Sequence, residues 1–368
     1  MSHGLDNTFG DTPPTGVPLV PRTGRWRRRL RRLVVVTLVL AVIGGLAGLG
    51  GGYLLESHLS GNVHRINGVF KGLNPSTRPS AAPSAGTDHT QTILAVGLDV
   101  RSPDQTTGEN GTDPKASQDG ERSDTIMLIR FDPDRRSASV VSIPRDSWVP
   151  IPGYGTNKIN AAYAWGGPAL LISTVELLTD VRVDHFMIID FAGFQSIVDA
   201  LHGVDVDVSD TVTDSSGVTF HQGLNHLDGT QALAYVRQRY GLPDGDLDRV
   251  RRQQNFLRAV MTKIASVNPA GDPVQTYRLL DAMTKAVTMD DGYTNNDLRS
   301  MALDAVRLVS DNVWFMTAPV SGTGWEGDQS VVYLDPTRDN PLWQAMADDT
   351  MAGYVAAHRG DLLPARTP

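Results

Sequence analysis

From residue 91 onward the apolar positions follow two rhythms: short runs bounded by turn residues, and longer stretches repeating every three or four positions. TILAVGLDV (92–100), TIMLIRF (125–131), SASVVSI (137–143), HFMIID (185–190) and VDVDV (204–208) read as strands. The turn DPDRR between the second and third makes those two a hairpin. Helical spacing covers about 157–163, GPALLISTVELLTD (167–180), FAGFQSIVDAL (191–201), and about 249–265, 273–288 and 295–309, after which VWFMTAPV (313–320) returns to strand character. Strands alternating with helices of this length predict an α/β domain over residues 91–345, a central mixed β-sheet flanked by helices on both faces. Residues 346–368 read as a C-terminal tail, and the aperiodic 102–121 as an insertion near a loop end.

The N-terminal pattern is different. Residues 33–55, LVVVTLVLAVIGGLAGLGGGYLL, are uncharged and long enough to cross a bilayer once, and seven Arg within RTGRWRRRLRR (22–32) precede them. The positive-inside rule then places residues 1–32 in the cytoplasm as a basic tail and the rest outside, a single-pass membrane topology. A cleaved signal peptide is the competing reading, but the run exceeds a usual h-region and no A-x-A site follows. Residues 56–90, rich in Pro, Ser, Ala and Thr from 72 onward, read as a stalk.

Charge sharpens this picture. The net charge is −8, and the basic tail leaves 26 basic and 39 acidic residues for everything after it. A nucleic-acid binder should show the opposite balance, so a basic cluster in the outer part is a local device. The chain has no Cys, which excludes thiol catalysis, thiolate metal sites and disulfides.

One such cluster is YVRQRYGLPDGDLDRVRRQQ (235–254), with five Arg in twenty positions. DGTQALAYVRQRY reads as a short helix from Asp228 passing into extended chain, where Arg237 and Arg239 share a face. A second helix then carries Arg249 and Gln253 four apart, flanking an apolar stripe of Val250, Leu257, Val260 and Ile264, with Arg251 and Arg252 expected to face outward. Charge also sits at strand ends, where open α/β sheets build sites: GLDVR (97–101), ERSDT (121–125) and IPRDSW (143–148). Arg122, Arg145, Arg237, Arg239 and Arg249 are therefore expected to gather with Asp99 and Asp124. Several guanidinium groups in one place require a multivalent anion, and two carboxylates among them suit a hard divalent cation such as Mg²⁺ bound with phosphate oxygens. Together they describe a diphosphate site. Other signatures fail: DGDLD (244–248) lacks the Gly and Glu of a Ca²⁺ loop, and there is no Walker A loop and no G-x-S-x-G.

GLDVR, RSDTIMLIRFDPDRRSASVVSIPRDSWVPIPGYGTNKINAAYAWGGP, GVDVDV, LDGTQALAYVRQRY and DGDLDRVRRQQNFLRA resemble, in order and spacing, the LytR-CpsA-Psr family of bacterial envelope proteins. The resemblance is strong over about 91–265 and looser to about 345. It implies a phosphotransferase that moves a glycopolymer from a polyprenyl diphosphate carrier onto a peptidoglycan hydroxyl, releasing polyprenyl phosphate at the outer membrane face without ATP. By motif, Asp99 and Asp124 fall on the family's metal-binding carboxylates, taking Mg²⁺ or alternatively Mn²⁺. Arg122 and Arg145 fall on diphosphate-contacting or catalytic arginines, and Arg237, Arg239, Arg249 and Gln253 on the remaining head-group ligands. A polyprenyl diphosphate hydrolase and a non-catalytic envelope binder are the alternatives. The lipid would need a greasy channel, for which Phe186, Phe194, Leu233 and Leu257 are candidates, with core packing as the other role for each.

Overall fold

The computed structural model describes residues 59, 61–80, 91–98, 123–132, 137–238, 241–267, 271–297 and 312–367. The apolar run 33–55 and the site candidates Asp99, Arg122 and Arg239 lie outside these. No helix among the described residues is long and apolar enough to cross a membrane.

In chain order come β1 (His64–Ile66), β2 (Thr92–Leu98), β3 (Ser123–Phe131), β4 (Ala138–Ser142), the hairpin strands β5 (Trp148–Ile151) and β6 (Gly155–Lys158), helix α1 (Asn160–Thr179), β7 (His185–Asp190) and α2 (Phe191–Ala200). Then follow β8 (Val204–Val208), β9 (Val212–Thr213), β10 (Thr219–Phe220), β11 (Gly223–Leu227), α3 (Gly229–Arg237), α4 (Asp246–Ser266) and α5 (Pro273–Lys285). The chain closes with β12 (Val287–Asp290), β13 (Val313–Thr317), β14 (Val320–Glu326), β15 (Gln329–Leu334), α6 (Pro336–Ala347) and α7 (Met351–Ala357).

Seven strands form one sheet in the order β1-β12-β7-β2-β3-β4-β13. It is mixed: β2–β3, β3–β4 and β12–β7 are antiparallel, whereas β2–β7, β4–β13 and β1–β12 are parallel. The middles of the central strands, Ile93–Val96 of β2 and Ile126–Ile129 of β3, are apolar because both faces are covered. Leu94, Val96 and Leu98 of β2, with Ile126 and Leu128 of β3, face Leu171, Ile172 and Val175 of α1 and Trp343 and Met346 of α6. Ile93, Ala95 and Met127 face the other way, where Leu257 and Met261 of α4 join them. A further core holds α2, α3, α4 and α5 against β8 and β11.

The expected mixed sheet and its hairpin are present, with corrections elsewhere. His64–Ile66, within the expected stalk, add β1 to the sheet beside β12, and Met351–Ala357, within the expected tail, form α7 against the main core. VDVDV (β8) pairs with β11 in a separate two-stranded sheet rather than in the central one. The helix expected to run to 288 stops at Lys285, and Val287–Asp290 join the sheet beside β7, where β-branched residues fit a pleated, buried position. Phe186 is fully buried in the main core, and Phe194, Leu233 and Leu257 pack against buried clusters, so these four side chains serve packing.

Asp339, in the first turn of α6, is only 4% exposed, with Oδ1 buried and unbonded. Burial, followed by the charge of Asp335, pushes its carboxyl up to about 7 against the pull of Arg338. A raised folded-state value means that stability is complete below the usual carboxylate range and is lost as pH rises through about 7. Asp339→Asn should therefore raise the melting temperature at pH 8.5, by the equivalent of about 2–4 kcal/mol, and at pH 5 by roughly a third of that. Calorimetry at the two pH values checks this.

Candidate functional site

The site grows from the β3–β4 hairpin. Its register pairs Met127 with Ser142, and the ladder continues with Ile143 N–H donating to Ile126 O at 2.9 Å. Carried to the open end of the hairpin, the same register sets Asp124 opposite Arg145, and Arg145 Nη1 donates to Asp124 Oδ1. The guanidinium also lies 3.8 Å from Asp146 Oδ2 and 3.7 Å from Asp246 Oδ1, both measured at Nε. Lys158, at the end of β6, reaches Asp146 Oδ1 at 3.1 Å.

Helix α4 brings the second arginine. Its first turn carries Asp246, and Arg249 Nη2 lies 2.6 Å from Asp246 Oδ1 one turn on, close enough for an ion pair but without hydrogen-bond alignment. Buried Gln254 clamps this helix to the sheet, donating to Ser142 Oγ at 2.8 Å, Thr317 Oγ1 at 3.2 Å and Met316 O, at the ends of β4 and β13. The clamp holds Asp246 and Arg249 over the strand ends that carry Arg145.

Burial disfavours the charge on Arg145, but Asp124, Asp246 and Asp146 outweigh it and hold the guanidinium above its ordinary value. Burial pushes Arg249 down, partly offset by Asp246 and deepened by Arg145. Asp246 is pushed up by burial, although Arg249 and Arg145 pull the other way. Despite these neighbours, Arg145 Nε and Arg249 Nε and Nη2 are buried without a hydrogen-bond acceptor among the described residues, and Asp246 Oδ2 is buried without a donor among them. Each such orphan costs about 1–3 kcal/mol, so the arrangement serves something other than stability.

Of the residues expected in the site, the structure brings together Asp124, Arg145 and Arg249, and adds Asp146, Lys158 and Asp246. Arg237 is the last residue of α3, exposed to solvent. Gln253 Nε2 donates to Val236 O at 3.5 Å, beside Arg237. Asp246 had a visible signal in the motif DGDLD, which reads as a failed Ca²⁺ loop yet places an acid three residues before Arg249. Lys158 carried no signal, since only the hairpin brings it back to Asp146.

Arg251 is bonded to Asp244 Oδ2 at 2.7 Å and Asp248 Oδ1 at 2.6 Å. Arg252, expected to face outward, is fully buried: Nη1 donates to Gln238 Oε1 at 2.7 Å and the guanidinium lies 4.5 Å from the Tyr235 ring. The helical period accounts for this, because Arg252 lies four and eight residues before the buried Phe256 and Val260. Arg252→Ala should cost about 2–4 kcal/mol through a lost cation–π contact and the lost hydrogen bond from Nη1 to Gln238, read as a lower urea midpoint.

No group of three or more acidic or histidine donors is arranged for a metal ion among the described residues. Mg²⁺ asks for less, one or two carboxylates with the remainder from phosphate and water. The partly exposed Asp124 and the orphaned oxygen of Asp246 are oxygen donors of the kind it prefers, so the residues present fit such an ion.

Residues 67–347 match the LytR_cpsA_psr family model. The chain is 32% identical over 318 residues to the cell wall biosynthesis protein LcpA of Corynebacterium glutamicum, covering 77% of this chain and 60% of that protein. It is 34% identical over 214 residues to the polyisoprenyl-teichoic acid–peptidoglycan teichoic acid transferase TagU of Enterococcus faecalis, covering 58% and 64%. The matched region thus spans less than two thirds of the length of both relatives. The crystal structure of Bacillus subtilis TagV shares the fold, with a TM-score of 0.59 at 22% identity over 72% of this chain and 99% of that one. With three quarters of its length matched by the family model, the chain belongs to the LytR_cpsA_psr family.

Proposed function

We propose that this protein transfers a glycopolymer phosphate from a polyprenyl diphosphate carrier to a peptidoglycan hydroxyl. The observation that carries the reading is the pair of neighbouring arginines, Arg145 and Arg249, with three buried nitrogen donors that find no acceptor among the described residues. Phosphate oxygens are the acceptors that forked guanidinium donors fit best. Membership of a family that includes a named teichoic acid transferase supports the choice of substrate class.

In the reaction, the acceptor oxygen bonds to the sugar-linked phosphorus while the bond from that phosphorus to the bridging oxygen breaks. The polyprenyl phosphate leaves with the electron pair. Arg145, kept charged by its three carboxylates, donates to oxygens whose negative charge grows in the transition state. Arg249 does the same from a drier position, where each charge interaction is stronger. The hydroxyl proton passes to a carboxylate, Asp99 or Asp124. Arg122, Arg237, Arg239 and Gln253 complete the head-group contacts in this reading. A bound Mg²⁺ or Mn²⁺, held by Asp124 with Asp246 or with the motif carboxylate Asp99, would supply further neutralisation of the diphosphate. The apolar run 33–55 would anchor the domain beside its lipid substrate, on the outer face of the cell membrane.

The test incubates the full chain with a polyprenyl diphosphate-linked glycan, with or without peptidoglycan fragments and with Mg²⁺ or EDTA. Expected are equal amounts of polyprenyl phosphate and glycan–peptidoglycan phosphodiester, lost in EDTA and restored by Mg²⁺. Lipid phosphate released at the same rate without acceptor would make the protein a hydrolase instead.

A further inference from the structure

The segment Arg145–Ser147 is the anchor point of two neighbouring elements. Its Arg145 O accepts from Asn160 N–H at 3.2 Å, at the start of α1, and its Ser147 O from Ile159 N–H at 2.9 Å. The β5–β6 hairpin leaves directly from it, with Lys158 returning to Asp146. These two elements carry Tyr154, in the hairpin turn, and Trp165, in the second turn of α1. Their rings stack with centroids 5.1 Å apart at 26°, yet 54% of Tyr154 and 41% of Trp165 remain exposed.

Packing alone does not account for this pair. Val149 and Ile151 bury the other face of the hairpin, so the face holding Trp148, Pro150, Thr156 and Lys158 looks outward. That face leads from the charged cluster at Lys158 to Tyr154 over about 10 Å of strand, and Trp165 lies about 8 Å along α1 from the residue bonded to Arg145. The backbone around both rings is specialised. Gly153 and Gly155 flank Tyr154 at φ +81° and +76°, and Gly167, at φ 62° and ψ −155°, breaks the helix two residues after Trp165. The last conformation is open essentially to glycine alone, so the break in the helix after Trp165 is set by the sequence.

We infer that Tyr154 and Trp165 form a sugar platform that takes a pyranose ring adjoining the phosphate held at Arg145 and Arg249. The inference rests on the transferase reading for its ligand. A pyranose presents a face of C–H groups, weakly positive, that suits the negative face of an aromatic ring, while its hydroxyls stay in water. A wide, solvated aromatic surface beside an anion site meets both demands, and a greasy lipid or protein partner would call for a larger continuous apolar patch.

The test is calorimetric titration of the full chain with three probes: inorganic pyrophosphate, UDP-N-acetylglucosamine for a sugar joined to a diphosphate, and a phosphate-free GlcNAc–MurNAc tetrasaccharide for the acceptor side. The double variant Tyr154→Ala/Trp165→Ala should bind at least one sugar probe about tenfold more weakly and pyrophosphate as before. Trp165→Phe, which keeps a flat ring, should stay within about threefold of wild type. Weakening of the tetrasaccharide alone assigns the platform to the acceptor, and weakening of UDP-N-acetylglucosamine alone assigns it to the donor. Sugar affinities unchanged in the double variant, or no sugar binding by the wild-type chain, would overturn the platform. Absence of pyrophosphate binding in the wild-type chain would instead count against the diphosphate site, so the two readings fail separately.

Discussion

Arg145→Ala should reduce transfer of glycan to peptidoglycan by about 10²–10³-fold, the usual consequence of removing one donor from charge that develops in a transition state. Among the described contacts, Arg145 is the cation shared by Asp124, Asp146 and Asp246. Its loss therefore removes the proposed phosphate ligand and takes from Asp124 its paired guanidinium, while Asp146 keeps Lys158 and Asp246 keeps Arg249. Arg145→Lys should recover little, because an ammonium is a point charge that cannot span two phosphate oxygens in a plane as a guanidinium does. Far-UV circular dichroism and a thermal melt accompany the assay to show that both variants fold. Activity within a few-fold of wild type in folded Arg145→Ala would remove this residue from the reacting centre.

Arg249→Met should give the largest stability effect. The side chain is 5% exposed and paired with Asp246, and removing one member of a buried pair strands the other at about 3–5 kcal/mol. The loss should depend on pH in a direction that follows from Asp246. Burial already raises its carboxyl, and without Arg249 it rises further. A raised folded-state value confers stability below the usual carboxylate range and surrenders it as pH rises, so the deficit should be larger at pH 8 than at pH 5. Adding Asp246→Asn should recover part of the loss at pH 8 and little at pH 5, a coupling that a double-mutant cycle measures. An equal deficit at both pH values, with no coupling, would show that Asp246 is not the group left behind.

Much of this site was legible before any coordinates, because it is built from local pattern. The apolar runs at 125–131 and 137–143, joined by the turn DPDRR, predict the hairpin, and the hairpin's register is what brings Asp124 to Arg145. The spacing that nominates Arg249 is likewise a property of one helix. What escaped depends on how separate elements meet. Lys158 joins the cluster only because β6 turns back toward β5, and Arg252 is buried only because α4 lies across Tyr235. The two glutamines of DRVRRQQ exchange importance for the same reason: Gln253 touches a neighbouring helix backbone, while Gln254 pins α4 to two sheet strands. Strand β8 reads like a member of the central sheet, and only its pairing with β11 shows otherwise.

The central claim is that Arg145 and Arg249 receive a diphosphate, and a crystal structure of the protein with a short-chain polyprenyl diphosphate sugar tests it most directly. The account predicts phosphate oxygens about 3 Å from Arg145 Nε and from Arg249 Nε, giving the orphaned donors their acceptors. A diphosphate bound elsewhere, with both guanidinium groups unchanged among Asp124, Asp146 and Asp246, would contradict it.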